Sequence, residues 1–292
     1  MKHLLIIGCG NVARRTLPLL VSRYRVYALV RNHARCADLR ALGAIPLIGD
    51  LDDRTSLSRI SGLADTVLHF APPQNSSAHD SRTRHLLTAL SHGVLPKYLV
   101  YISTSDVYGD CGGAVVSETQ PLNPKSDRAK RRVDAEHQVR NWAKHNRVRA
   151  SILRVSGIYA ADRLPLGRLQ QGMPCINDNE DSFTNLIHAD DLARIVVAVL
   201  RNGSACRIYH ASDDSQLKMG EYFDAVADVF DLPHPPRISR VEAQCVLTES
   251  MLSFMSESRR LANLRMKHEL KVKLLYPVVA DCLAALKYSR VA

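Results

Sequence analysis

The chain opens with an uninterrupted apolar run, Leu4-Leu5-Ile6-Ile7, followed at once by Gly8-Cys9-Gly10-Asn11-Val12-Ala13. A short buried strand that runs through a GxGxxA loop into a helix constrains the fold more than any other stretch. Gly8 permits the tight turn, and Gly10 lets backbone approach a pyrophosphate resting on the helix N-terminus. Ala13 lets helix and strand pack closely, and Asn11 and Val12 open the helix, so the loop reads as a dinucleotide cradle. Pro18 falls two turns into that helix and opposes it locally. Val12, Ala13, Thr16, Leu17 and Leu20 nevertheless form one apolar face.

The same alternation continues. Apolar runs at 26–30, 44–48, 66–70, 98–102 and 151–155 read as strands, with helix-sized segments at 11–22, 33–42, 54–61, 80–92 and 126–146. Runs that are apolar throughout suit strands covered on both faces, and strand–helix alternation argues for a parallel sheet. After residue 155 the pattern loosens: Gly157, Pro165, Gly167, Gly172 and Pro174 mark 156–184 as loop and turn. A helix at 190–200, with Asp190 or Asp191 as its N-cap, a strand at 207–210 and helices at 219–230, 257–268 and 277–288 follow. The expectation is an α/β, Rossmann-type doubly wound parallel sheet with a smaller, mostly helical C-terminal substrate domain. The dinucleotide domain spans 1–155, joined by 186–212, and the substrate part takes 156–185 and 213–292.

An NAD site wants a carboxylate roughly 20 residues past the glycines to hold the ribose 2′-hydroxyl. Here Leu29-Val30-Arg31-Asn32-His33 carries none. Arg31 either pairs a 2′-phosphate, which favours NADP over NAD, or is a solvated loop arginine. Asp50, in Gly49-Asp50-Leu51, accepts from an adenine amino group or caps the helix near Asp53. Ala71-Pro72-Pro73 marks backbone passing a ribose, or a simple proline turn.

Charge supports an anionic ligand. Lys+Arg 39 against Asp+Glu 29 gives +10, concentrated in two windows. Residues 1–37 hold seven basic and no acidic residues, and 125–149 hold nine basic and three acidic. The second window is a rival for nucleic acid, but aromatics are 5% and Trp142 shares the apolar face of Val139 and Ala143. No aromatic interleaving for base stacking is present. Seven scattered cysteines show no CxxC pair and no metal spacing, which suits a reducing, cytoplasmic setting and no metal. No apolar run approaches the ~18 residues of a membrane span, and the first is shorter than a signal core.

Taken with Tyr101-Ile102-Ser103-Thr104-Ser105-Asp106-Val107-Tyr108-Gly109-Asp110, Asn185-Leu186-Ile187-His188-Ala189-Asp190-Asp191 and the late Ser258-Arg259-Arg260-Leu261-Ala262-Asn263, these motifs give a resemblance. The chain resembles the extended short-chain dehydrogenase/reductase superfamily, in its nucleoside-diphosphate-sugar epimerase/dehydratase branch. The resemblance implies a catalytic Ser or Thr, a Tyr acting as acid and base, and a Lys four residues after it. It places Thr104 at the Ser/Thr position and Lys130 at the lysine, and puts Ser126 where the tyrosine belongs. It also implies a substrate pocket whose polar candidates are Arg163, Arg168 and Asn185, and a homodimer built on 80–92 and 126–146. Two functions follow: an NAD(P)-binding oxidoreductase or epimerase-like enzyme on a sugar nucleotide or other small alcohol or carbonyl substrate, and a catalytically degenerate NAD(P)-binding regulator or sensor.

Overall fold

The computed structural model describes residues 1–291. Strands β1 (Lys2–Ile7), β2 (Tyr24–Val30), β3 (Ile45–Ile48), β4 (Thr66–His69), β5 (Tyr98–Thr104), β6 (Arg149–Val155) and β7 (Arg207–Ala211) form one parallel sheet. Their order across it is β7-β6-β5-β4-β1-β2-β3. Alternate residues feed two cores. Leu4 and Ile6 of β1, with Val100 and Ile102 of β5, enter one; Leu5 and Ile7, with Leu99 and Tyr101, enter the other. That split explains why Leu4–Ile7 and Tyr98–Ile102 are apolar at every position rather than at every second one.

Helices α1 (Asn11–Leu20), α2 (Cys36–Ala41) and α6 (Ala189–Asn202) cover the first face. Helices α3 (Ser81–Ser91) and α4 (Asp127–Asn146) cover the second, where the half-buried Trp142 packs beside Val139 and Ala143. α1 continues through Pro18 and ends at Leu20. The proline is on the exposed side, where the carbonyl freed four residues back can meet water. A third core joins Tyr159, Leu169 and Ile176 to Tyr222, Phe223, Val226 and Leu283. It is built on α5 (Leu166–Gln170), α7 (Met219–Val229), α8 (Arg240–Val246), α9 (Glu249–Met255) and α11 (Val279–Val291), and forms the helical second lobe. Helix α10 (Leu264–Leu270) returns to the first core through Met266 and Leu270.

Three local expectations are corrected. Segment 54–61 is a 3-10 helix, Arg54–Ile60, opened by Asp53. Segment 257–268 is not one helix: Arg260–Leu261 pairs in parallel with Val115–Val116, and α10 begins only at Leu264. Asn185 Oδ1 accepts from Leu261 N, and Asn263 Nδ2 donates to Ser212 O, so tertiary bonds hold this stretch extended. The N-cap of α6 is His188, whose Nδ1 accepts from Asp190 N at 3.2 Å. Asp190 and Asp191 lie in the first turn instead, where Asp191 accepts from Leu275 N and Tyr276 N.

Candidate active site

The strand order reverses between β1 and β4, and α/β folds bind ligands beyond the carboxyl ends of the strands at such a point. A cleft of about 650 Å³ opens there, lined by Gly8, Gly10, Asn11, Val12, Arg31, Asp50, Leu51 and Ala71, all expected from sequence. The two glycines differ in cause. Gly8 has φ +89, and a Cβ there would lie 2.6 Å from Ala71 N and 2.7 Å from Ala71 Cα. Its requirement is the close pass of the chain leaving β4. Gly10 has an ordinary φ of −78, and a Cβ there would meet nothing within 4 Å. Among the described residues no neighbouring atom requires a glycine there, and the space in front of it is open. No side chain caps α1 and its first turn holds no acidic residue, so its N-terminal N–H groups suit an anion.

Arg31, exposed at the end of β2, lines the cleft with Asn32 and Arg35, two residues that the sequence reading did not single out. Arg82 was missed as well. It pairs with both oxygens of Asp52, at 2.8 and 2.6 Å, and donates to Pro72 O, fixing the chain after β4 against the loop after β3. Its signal was faint, one arginine in the first turn of a polar helix.

A second cavity of about 410 Å³ lies beside the first, walled by the helical lobe. Thr104, Arg132, Ser156, Ile158 and Arg163 line both. Thr104 stands at the end of β5, its Oγ1 accepting from Asp106 N at 3.3 Å. Ser103 Oγ and Arg259 Nε are buried beside these spaces without a hydrogen-bond partner among the described residues.

Helix α4 is oriented by a buried ion pair. Arg154 Nε and Nη2 reach the two oxygens of Glu136 at 3.1 and 2.7 Å, with both side chains nearly inaccessible. Residues four and eight positions earlier share that face. They are Arg132 and Arg128, and both line the second cavity. Arg132 donates to Ile102 O at 2.8 Å and Tyr101 Oη at 3.2 Å; Arg128 pairs with Asp106. Ser126 and Lys130 line neither cavity. Two residues of slip turn a side chain about 200° around a helix. Lys130 is half exposed and bonds Asp127 at 3.0 Å, while Ser126 Oγ caps the helix on Ala129 N. The i, i+4 spacing is present at the site, but arginine holds both places.

The substrate candidates separate. Arg163 lines both cavities. Asn185 lines the second, but its amide is engaged with Arg259 O and Leu261 N, so it pins the 259–261 segment. Arg168 lines neither: its guanidinium stacks on Phe223 and donates to Pro174 O inside the helical lobe. The second cavity holds Arg128, Arg132, Arg163 and Arg259 against Asp106 and Glu257, a net positive space. Glu257 accepts from Arg259 Nη1 at 2.7 Å, and burial pushes its carboxyl up from its ordinary value. Among the described residues no helix is long and apolar enough to cross a membrane.

The model of the NAD dependent epimerase/dehydratase family matches residues 4–211. The dTDP-D-glucose 4,6-dehydratase of Homo sapiens is 23% identical over 248 residues, 75% of this chain and 71% of that protein. A functionally unknown conserved protein from Silicibacter pomeroyi DSS superposes with a TM-score of 0.81 at 27% identity, over 100% of both chains. UDP-glucuronic acid 4-epimerase from Bacillus cereus, solved with UDP-glucuronic acid and NAD, superposes with a TM-score of 0.77 at 18% identity, over 99% of this chain and 100% of that one.

Proposed function

The chain belongs to the NAD dependent epimerase/dehydratase family, and from that premise we propose that it is an NAD(P)-dependent oxidoreductase or epimerase acting on a sugar nucleotide or a related small alcohol or carbonyl compound. The observation that carries this reading is the meeting of the two cavities at Thr104, Arg132, Ser156, Ile158 and Arg163. A groove of dinucleotide size opens directly into a second, positively charged space, as transfer between a cofactor and an anionic substrate requires.

The cradle fits the cofactor, because Gly10 keeps space open in front of an uncapped helix N-terminus. Asp50 accepts from the adenine amino group, and Arg31 takes a 2′-phosphate, so NADP is favoured over NAD. When bound, the nicotinamide supplies the hydride acceptor or donor. Thr104 orients the substrate oxygen. Arg132 takes the place that the resemblance gave to Lys130, a charge held at the junction by Ile102 O and Tyr101 Oη. A guanidinium stabilises a developing oxyanion but does not take up a proton near neutrality. That part falls to Glu257, a largely buried carboxylate that lines the second cavity beside Arg259. A positioned tyrosine is worth ~10²–10⁴-fold, so turnover of the usual family substrates is expected to be slow.

The test is calorimetric titration with NADPH and NADH, then turnover of UDP- and dTDP-sugars for wild type and Glu257→Gln. Absence of dinucleotide binding refutes the reading. Arginine at both α4 positions favours one alternative, a cofactor-binding sensor. Tight binding without turnover on any substrate decides for it.

A further inference from the structure

The turn that carries Arg163 crosses from the helical lobe to the mouth of the dinucleotide cleft and is tied there. Asp162 accepts from Asn11 Nδ2 at 3.0 Å and from Arg15 Nη2 at 2.7 Å. Arg15 Nη1 reaches Asp190 at 2.6 Å, and Arg15 Nε donates to Asn11 Oδ1 at 3.0 Å. Side chains of α1, of the 161–163 turn and of the first turn of α6 thus close one network beside the phosphate cradle. Both polar ends of the Asn11 amide are engaged in it, so that side chain serves the latch. Arg15 is held by two carboxylates. The next residue along the turn, Arg163, is exposed, lines both cavities and has no carboxylate partner among the described residues.

We propose that Arg163 binds the pyrophosphate of the cofactor, held opposite the N-terminus of α1 by the Asp162–Asn11–Arg15–Asp190 latch. The inference rests on the dinucleotide reading and goes beyond it, because sequence assigned Arg163 to the substrate. A pyrophosphate on the α1 N–H groups is open on its outer side, since Gly10 adds no side chain and no cap covers the helix. A guanidinium fork meets phosphate oxygens in pairs from that side. Asp162 and Asp190 stand close to the same anion. Their charge is tolerable there because Arg15 bridges them. The arrangement makes the second lobe part of the cofactor site: releasing the latch frees Arg163 and lowers dinucleotide affinity with Gly8 and Gly10 unchanged.

The experiment is calorimetry on the full chain with NADPH, ADP and AMP, for wild type, Arg163→Gln, Arg163→Lys and Asp162→Asn. Arg163→Gln is expected to weaken NADPH and ADP by about tenfold or more, the loss of a charge-assisted bond, with AMP little changed. Arg163→Lys restores part of the loss, and Asp162→Asn weakens the same two ligands to a smaller degree. Thermal unfolding confirms that the variants are folded. NADPH binding by Arg163→Gln at wild-type strength overturns the proposal and leaves the dinucleotide reading standing. Equal weakening of AMP and ADP overturns it too, because the effect is then a general field. Failure of wild type to bind any dinucleotide removes the reading of the cleft itself, and this inference with it.

Discussion

Gly8→Ala and Gly10→Ala, two residues apart in one loop, are expected to fail in opposite ways. At Gly8 the new methyl meets Ala71 N at 2.6 Å and Ala71 Cα at 2.7 Å, both backbone atoms that cannot step aside cheaply, and the residue sits at φ +89. Left-handed backbone costs an L-residue about 1–2 kcal/mol and overpacking costs about 1–3 kcal/mol. The variant should lose about 2–5 kcal/mol, lowering the melting temperature by roughly 5–15 °C. At Gly10 the methyl meets nothing within 4 Å and φ is −78. Folding should be unharmed, or favoured by about 0.4–1 kcal/mol through a less flexible unfolded chain. The methyl then occupies the space in front of the helix N-terminus, and dinucleotide affinity should fall at least roughly tenfold. Scanning calorimetry and NADPH titration of both variants provide the assay. If Gly10→Ala binds NADPH as wild type does, the pyrophosphate does not rest on this loop and the reasoning fails.

Three further outcomes are expected. Arg31→Asp should reverse a preference for NADP over NAD; an unchanged ratio of the two affinities shows that Arg31 faces solvent. Arg132 lines the dinucleotide cleft and Lys130 does not, so Arg132→Met should weaken cofactor binding by about 1–3 kcal/mol, while Lys130→Met should leave it unchanged; the reverse result restores the Ser126/Lys130 register. Burial pushes Asp213 from 3.8 up to about 7, so the folded state holds a proton that the unfolded state releases. The stabilisation is complete below the unfolded value and is lost as pH rises through the folded one. Asp213→Asn should therefore gain melting temperature on wild type between about pH 5 and about pH 8, and a difference independent of pH counts against it.

Much of the scaffold was legible in the sequence because its signals are local. A strand covered on both faces reads as a near-continuous apolar run, and Leu4–Ile7 of β1 and Tyr98–Ile102 of β5 are read from that alone. The GxGxxA loop is a contiguous piece of backbone geometry, so Gly8, Gly10 and Ala13 announce themselves without any distant partner. What the sequence could not decide was rotation and reach. Ser126/Lys130 and Arg128/Arg132 have the same spacing on one basic helix, and the buried Arg154–Glu136 pair, joining β6 to α4, together with the packing of Ala135, Val139 and Ala143 on the sheet, selects which turns inward. Composition identified a charged segment there and could not say which cations face the site. In the same way Arg163 and Arg168, five residues apart in a Gly- and Pro-rich stretch, look alike in the sequence. Tertiary packing seats one at the junction of two cavities and stacks the other on Phe223. A side chain's direction depends on contacts with residues far away in the chain, and those exist only once the sheet has brought its strands together.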